Sequence, residues 1–306
     1  MLSVLTKLFL ILSIGLFSSC SFHSDSRNGQ REHEWVEIPI AEYTPSQLPC
    51  LGVRIERNNY RLVLDLGNSG DLSLHKSLVD HLSAKEFTRV KTTFGFRGKQ
   101  YHKRCFRIPN VEIGKIVFHV PLLEEGSEES DQDSILSEGI SSLRADVGEI
   151  GWRLFCTKKV LFDLGNSKII IVKDADILSK HGYPIELFAK TALLTDRGFL
   201  ECELELDTKP LRCLLDTSCT GNLVHKNFGD GETFEQIIKN PKNIHRYTSL
   251  KIDGKIFGPV DFYDFPLHSS IELDAVLGMD FFTEHVVFID FPENQRLEKS
   301  LIIRQV

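Results

Sequence analysis

The chain has 306 residues, of which 42% are hydrophobic and 26% are charged, and its formal net charge is -7. This balance is typical of a globular protein with a substantial core, and it does not indicate extensive disorder. A negative net charge and the lack of a basic run with interleaved aromatic residues argue against a nucleic-acid-binding surface, so we expect no nucleic-acid partner.

The N-terminus has the pattern of an export signal. Lys7 precedes an apolar stretch from Leu8 to Phe17, and two serines then lead to Cys20. An apolar core of ten residues is too short to span a bilayer comfortably, but it suits a signal peptide. The stretch resembles a bacterial lipoprotein signal, although Phe17 stands where such signals usually have leucine, and the resemblance implies that Cys20 receives the lipid.

We therefore predict a signal peptide over residues 1–19, lipidation at Cys20 and a tether over residues 20–48, whose first part is polar and lacks periodicity. The expected location is a bacterial cell envelope, where the lipid holds the protein on the membrane at the periplasmic or surface face. Ordinary secretion and a plain membrane anchor are the alternatives that the pattern leaves open.

Seven cysteines are present, and six remain if Cys20 carries a lipid. An even number in an exported chain permits disulfides, but the sequence does not choose among the pairings. Cys213 lies in an apolar run and is interpreted as a small core residue, whereas Cys219 lies in a loop where a thiol could be redox-sensitive. Because no C-x-x-C pair and no His/Cys cluster with zinc spacing is present, we expect no metal site and no cofactor.

Most secondary-structure signals are those of strands, because β-branched and aromatic residues recur in short runs. The predicted strands are Gly52 to Ile55, Arg61 to Leu64, Val111 to Val120, Val160 to Phe162, Ile169 to Val172, Leu200 to Leu206, Leu211 to Leu215, Val286 to Ile289 and Leu301 to Ile303. The predicted helices are Lys76 to Leu82, Ile185 to Leu194, Phe234 to Ile238, and the turns Trp152 to Thr157 and Met279 to Glu284. The acidic run from Glu124 to Asp133 is predicted to be a solvated loop. The balance indicates an all-β fold.

The chain contains one short passage twice. Leu62 to Gly70 and Cys213 to Gly221 each bring an apolar, strand-like run to an aspartate and then to a turn that ends in glycine. The aspartates are Asp65 and Asp216. On its own such an aspartate is usually a turn former, but a duplicated unit is a way to bring two carboxylates together.

The repeat continues downstream of both turns. Ile150-Gly151 and Leu277-Gly278 lead, at identical spacing, into strands that end at Asp163 and Asp290. A glycine at this place predicts a strand that passes close behind the turn, where a side chain would not fit. Two such units related by a pseudo-twofold axis would place Asp65 opposite Asp216.

These two turns and two glycine elements resemble those of retropepsin-like and pepsin-like aspartic proteases. The resemblance covers about Leu51 to Val172 and Gly198 to Arg304, and it implies two similar β-barrel lobes in one chain, related by a pseudo-twofold axis, with few short helices. The lobes would span residues 49–175 and 198–306, with a linker over residues 176–197. One chain supplies both halves, so a monomer with an intramolecular pseudo-dimer is expected.

The resemblance also implies an activity, that of an aspartic endopeptidase in which a water is activated between Asp65 and Asp216. An extended peptide or protein segment would be the substrate. The remaining site residues fall into two groups by position: the active-site loops contain Leu66, Gly67, Asn68, Ser69, Thr217, Ser218 and Thr220, and the substrate flaps contain Gly95, Gly98, Asp253 and Gly254.

Two residues depart from the pattern of the family. Leu66 stands where the family has a threonine or serine whose hydroxyl bonds across the lobe interface, and Ser218 replaces a glycine. These changes leave a second hypothesis open, in which the chain is a catalytically degenerate lipoprotein that binds peptides or proteins in the same cleft.

Overall fold

The computed structural model describes residues 34–82, 86–94, 100–119, 121–126, 148–195, 198–225, 244–265, 273–291 and 300–305. His33–Val306 forms one compact unit. The predicted lipidation site, Cys20, and the predicted helix Phe234 to Ile238 lie outside the described residues, as do the flap glycines Gly95 and Gly98. No helix in the described ranges is both long enough and apolar enough to cross a membrane.

The described part of the first half of the chain consists mainly of strands. They are β1 (Trp35–Pro39), β2 (Glu42–Tyr43), β3 (Pro49–Ile55), β4 (Asn58–Asp65), β5 (Leu72–His75), β6 (Glu86–Phe94), β7 (Gln100–Arg107), β8 (Asn110–Ile113), β9 (Ile116–His119), β10 (Leu122–Gly126), β11 (Gly148–Gly151), β12 (Lys159–Asp163) and β13 (Lys168–Val172).

The second half is built in the same way. Its described strands are β14 (Ala189–Leu194), β15 (Glu201–Leu206), β16 (Lys209–Leu215), β17 (Leu223–His225), β18 (Ile244–Tyr247), β19 (Leu250–Ile252), β20 (Lys255–Phe257), β21 (Val260–Phe265), β22 (Ala275–Leu277), β23 (His285–Asp290) and β24 (Ser300–Gln305). The described α-helices are Lys76–His81, Asp176–Lys180 and Met279–Glu284, and the described 3-10 helices are Trp152–Phe155, Leu164–Asn166 and Ile185–Leu187.

The two halves have the same strand order. In the first half the sheet runs β7-β10-β5-β11-β4-β3, and in the second half it runs β18-β21-β17-β22-β16-β15. In each half the strand that ends in the aspartate turn pairs in parallel with the strand that leads to the glycine element, β4 with β11 and β16 with β22. The predicted all-β fold of two similar halves with few short helices is confirmed.

A section of sheet made from both halves joins them. Its strand order is β1-β13-β12-β23-β24-β14, and β12 pairs with β23 in antiparallel register. Leu161 lies opposite Phe288 in this pair. The same number of residues separates Leu161 from Phe288 as separates Gly151 from Gly278. Repeat-equivalent residues therefore face each other, and the pseudo-twofold axis passes through this pair.

The hydrophobic core runs through both halves. The largest fully buried side chains include phenylalanines from each, among them Phe155, Phe162, Phe262 and Phe282. A second apolar cluster lies on the joining sheet and contains Leu161, Ile170, Val172, Leu178, Phe188, Val286 and Phe288. The axis pair Leu161 and Phe288 is therefore part of a buried apolar cluster.

The structure differs from prediction at two segments around the repeat. The predicted tether over residues 20–48 includes β1, in which Val36 and Ile38 are buried because β1 pairs with β13. The predicted linker over residues 176–197 contains the helix Asp176–Lys180 and strand β14. Residues 189–194 were expected to be helical, but they form a strand because they pair with β24 and β15.

His285 is a buried titratable group in the second half. It is 1% exposed, its Nδ1 contacts the carbonyl oxygen of Phe281 at 2.9 Å, and its ring stacks on the Phe281 ring. Nε2 is buried and has no hydrogen-bond partner among the described residues. Burial lowers the pKa of His285, and the bond to the Phe281 carbonyl opposes this only in part.

This environment predicts a pH-dependent stability. The unfolded chain binds a proton at His285 near pH 6.5, whereas the folded chain does so only at lower pH, so the contribution of His285 is complete above about pH 6.5 and is lost as the pH falls. Below that pH, urea unfolding should show that the free energy of unfolding falls by up to about 1.4 kcal/mol per pH unit. In His285→Phe the contribution of this residue to the slope of unfolding free energy against pH should disappear. An unchanged slope in the variant would contradict the assignment.

Candidate active site

The first turn holds Asp65 at the end of β4. Asp65 is 7% exposed, and its Oδ1 accepts a hydrogen bond of 3.1 Å from the backbone N–H of Asn68. The side chain of Asn68 fixes the turn from inside, since its Oδ1 accepts from the N–H of Gly70 at 2.8 Å and its Nδ2 donates to Glu149 Oε2 at 3.1 Å. The turn is therefore held by an amide side chain that bridges the backbone and a neighbouring strand.

The second turn holds Asp216 at the end of β16. Asp216 is 4% exposed, and its Oδ1 accepts two hydrogen bonds of 2.8 Å from Ser218, one from the backbone N–H and one from the hydroxyl. The thiol of the next residue, Cys219, is buried and donates to the carbonyl oxygen of Gly221. The second turn thus places a hydroxyl donor directly on its aspartate.

The glycine elements pass close behind both turns, as predicted. A Cβ on Gly151 would lie 2.6 Å from the carbonyl oxygen of Asn68, and a Cβ on Gly278 would lie 2.6 Å from that of Cys219. The following N–H groups, of Trp152 and Met279, donate to these same carbonyl oxygens at 3.2 and 2.7 Å. The glycines are required because any larger residue would break this backbone contact.

One hydroxyl group joins the two turns. Thr217 Oγ1 donates to the carbonyl oxygen of Leu64 at 2.6 Å and accepts from the N–H of Leu66 at 3.1 Å. These two bonds flank Asp65 on either side, and they come from the residue that follows Asp216. The turns that carry the two aspartates are therefore in direct contact.

The first turn lacks the matching hydroxyl group. Leu66 occupies the position equivalent to Thr217 and is fully buried, but it has no hydroxyl to return the bond. Its apolar side chain removes from the interface two of the hydrogen bonds that a symmetric pair of threonines would make. Leu66 therefore makes none of the side-chain hydrogen bonds that a threonine or serine would make here, whereas both hydrogen bonds of Thr217 are present.

The glycine of the first turn lies against the opposite aspartate. A Cβ on Gly67 would be 2.7 Å from Cγ of Asp216, which is closer than real Cβ atoms approach such an atom. The equivalent residue of the second turn, Ser218, does carry a Cβ. The two turns therefore cannot approach the opposite aspartates in the same way, and the site is asymmetric.

Two carboxyl groups beside the first turn were not predicted as site residues. Glu149 bonds Asn68, and Glu124 is 1% exposed, with its Oε1 2.8 Å from where a Cβ on Gly70 would stand. Glu124 was predicted to lie in a solvated acidic loop. That prediction is wrong for this residue, because it lies in β10, which pairs with β5. Only the long-range pairing brings it to the turn.

The predicted flap residues have different positions in the fold. The β6–β7 hairpin has the expected form, with Thr93 opposite Tyr101, but its tip lies outside the described residues. Asp253 and Gly254 form the turn of the β19–β20 hairpin with φ angles of +52° and +70°. That hairpin pairs with β15, as β8–β9 pairs with β3, so its counterpart in the first half is β8–β9 and not β6–β7.

The remaining loop residues lie within the turns. Ser69 is half-buried in the first turn, and the carbonyl oxygen of Thr220 in the second turn accepts from the N–H of Asp280 at 3.2 Å. Burial and the nearby charge of Asp261 raise the pKa of Asp280. Within the described ranges no group of three or more His, Cys, Asp or Glu side chains is arranged to hold a metal ion.

Comparison with solved structures identifies the fold. An aspartic proteinase from Irpex lacteus aligns over 89% of this chain and 97% of its own, with a TM-score of 0.52 and 11% identity. Conglutin gamma, a basic 7S globulin from lupine seeds, aligns over 89% and 95% with a TM-score of 0.55 and 13% identity. Basic 7S globulin from soybean aligns over 88% and 94% with a TM-score of 0.52 and 10% identity.

The chain thus has the two-lobed all-β fold of pepsin-like aspartic proteinases and 7S globulins. No protein-family model matches the sequence, and no curated protein does. At identities of 10% to 13% the likeness concerns the fold alone, and the chemistry of the site has to be argued from this chain's own residues.

The contact made by Thr217 predicts a stability difference between two conservative variants. Thr217→Val keeps the shape but removes both hydrogen bonds to the first turn, so it should lower the free energy of unfolding by about 2–4 kcal/mol. Thr217→Ser keeps the hydroxyl and should lose about 1 kcal/mol or less for the missing methyl group. Urea unfolding of both variants measures the difference, and equal losses would show that the hydroxyl does not join the turns.

Proposed function

We propose that this protein is an exported aspartic endopeptidase that hydrolyses peptide bonds with a water activated between Asp65 and Asp216. The observation that carries the proposal is the hydroxyl of Thr217, which bonds the backbone on both sides of Asp65 and so holds the Asp216 turn against the Asp65 turn. The burial of both aspartates and the close fit of Gly67 against the Asp216 carboxylate add support.

The chemistry follows from placing two carboxylates in one site. At a separation of about 3 Å they cannot both be ionised, so they share one proton and titrate in two separated steps. The ionised member removes a proton from the water, and the protonated member donates a hydrogen bond to the carbonyl oxygen of the scissile peptide. No covalent intermediate and no cofactor is needed for this reaction.

The substrate in this proposal is an extended peptide segment of a protein. In this proposal the β6–β7 hairpin would cover it, since an extended segment can pair with strand edges through its backbone. Asn68, Ser69, Ser218 and Thr220 line the turns and would orient the carboxylates or the substrate backbone. Cleavage preference would depend on side chains from the segments between the turns.

A second function is favoured by a specific feature, the apolar Leu66 in the contact between the turns. A threonine at position 66 could make the same two hydrogen bonds as Thr217. Because leucine cannot make them, fewer hydrogen bonds hold the two aspartates in position. The structural neighbours include two seed globulins beside a proteinase, so the fold alone does not select activity. The alternative is a catalytically degenerate lipoprotein that binds extended peptides in the same place.

Peptide cleavage separates the two functions. The chain from Ser21 to Val306, which contains the whole compact unit, should cleave a mixed peptide library at acid to neutral pH. Asp65→Asn and Asp216→Asn should each abolish cleavage, and a statine-type transition-state mimic should inhibit the natural chain. Cleavage that survives both substitutions would eliminate the aspartic-protease mechanism. A folded natural chain that binds the mimic in calorimetry without cleaving any peptide would favour the degenerate alternative.

Export and a lipid anchor at Cys20 belong to the same proposal, and the apolar segment that ends in small residues before Cys20 supports them. In a bacterial host, radiolabelled palmitate should be incorporated into the natural chain, which should fractionate with membranes. Cys20→Ala should lose the label. An unlabelled natural chain in the soluble fraction would contradict the anchor.

A further inference from the structure

The two aspartates receive different donors from their own turns. Ser218 gives Asp216 Oδ1 a hydroxyl donor in addition to its backbone N–H, both at 2.8 Å. The equivalent residue in the first turn is Gly67, which has no side chain to donate. A hydrogen bond to a carboxylate stabilises its ionised form. The difference between Ser218 and Gly67 therefore favours the negative charge on Asp216 over Asp65.

Carboxyl groups also lie beside the first turn. Those of Glu149 and Glu124 lie against Asn68 and Gly70, and an ionised carboxylate there would disfavour a second negative charge on Asp65.

Beside the second turn, one acidic side chain is paired with an arginine and another is partly buried. Asp261 forms a bidentate pair with Arg246, with both N···O distances at 2.8 Å. Asp280 follows the glycine element, and burial raises its pKa. The ring of Tyr263 also faces this turn, since it lies against Gly221.

We propose that Ser218 is a positioning residue that fixes where the shared proton resides: Asp216 keeps the negative charge and Asp65 carries the proton in the resting site. This inference rests on the proposed function, because it assumes that the two aspartates form one pair. It assigns a use to Ser218, whose Cβ makes the second turn different from the first.

The assignment orders the steps of hydrolysis. The water oxygen attacks the peptide carbon while one water proton moves to Asp216 and the Asp65 proton moves to the carbonyl oxygen, which gives a tetrahedral diol. The C–N bond then breaks as the nitrogen takes the proton from Asp216, and one diol hydroxyl returns its proton to Asp65. The products are a carboxylic acid and an amine, and the resting protonation is restored.

Carboxyl NMR titration of the chain labelled with ¹³C-aspartate tests the inference without requiring activity. Signals are assigned with Asp65→Asn and Asp216→Asn. In the natural chain Asp216 should titrate mainly in the lower step and Asp65 mainly in the upper step. In Ser218→Ala the lower step should rise by about one pH unit, because one hydrogen bond to the ionised form is lost, and both carboxyls should report both steps.

Three further variants and measurements make the test specific. Ser218→Thr keeps the hydroxyl and should behave as the natural chain does. Ser249→Ala is a matched control, since the Ser249 hydroxyl also donates to a carboxylate, Asp207 Oδ1 at 3.2 Å, in an exposed loop. If the chain cleaves peptides, the acid limb of its kcat/KM profile should shift upward by the same amount in Ser218→Ala and not in Ser249→Ala.

The outcomes separate this inference from the proposed function. Two coupled steps that do not change in Ser218→Ala would overturn the role of Ser218 and leave the paired aspartates intact. Independent, single-step titration of both carboxyls in the natural chain would overturn the proposed pair and the inference together. A shift in Ser218→Ala that Ser218→Thr restores would support the role of the hydroxyl.

Discussion

The site depends on the contact between two backbone turns, and one hydroxyl group makes two hydrogen bonds across that contact. Thr217 bonds the carbonyl oxygen of Leu64 and the N–H of Leu66, so the backbone on both sides of Asp65 is held by the residue next to Asp216. Buried hydrogen bonds of this kind are costly to lose, because each polar group left behind would be desolvated. Strands β4 and β16, with the sheets around them, hold the two turns so that these bonds can form.

Duplication of one structural unit explains how that is achieved. Each half ends a buried strand on an aspartate and closes the turn with a strand whose glycine leaves room for two carbonyl oxygens, at Gly151 and Gly278. The joining sheet then relates the halves, with Leu161 opposite Phe288 at the axis. Within this symmetric frame the differences between the turns, Leu66 for threonine and Ser218 for glycine, become the features that give the two aspartates unequal environments.

The sequence predicted those features that are encoded locally. The turns at Asp65 and Asp216 were predictable because a strand, an aspartate and a turn glycine recur at the same spacing. The glycines behind them were predictable because each leads, at identical spacing, into a strand that ends in an aspartate. Features set by long-range pairing were not predictable. The hydrophobic pattern of residues 189–194 fits either a helix or a strand, and only pairing with β24 and β15 selects the strand. Glu124 belongs to an acidic run, yet pairing of β10 with β5 buries it beside Gly70.

The central claim is that the two turns bring Asp65 and Asp216 into one shared site, and the most direct measurement is the electrostatic coupling between them. The pKa of the Asp65 carboxyl can be followed by ¹³C NMR in the natural chain and in Asp216→Asn, which removes the second charge. If the carboxylates share a proton, the apparent pKa of Asp65 should fall by more than about one unit in the variant. An Asp65 titration that is the same in both chains would contradict the account.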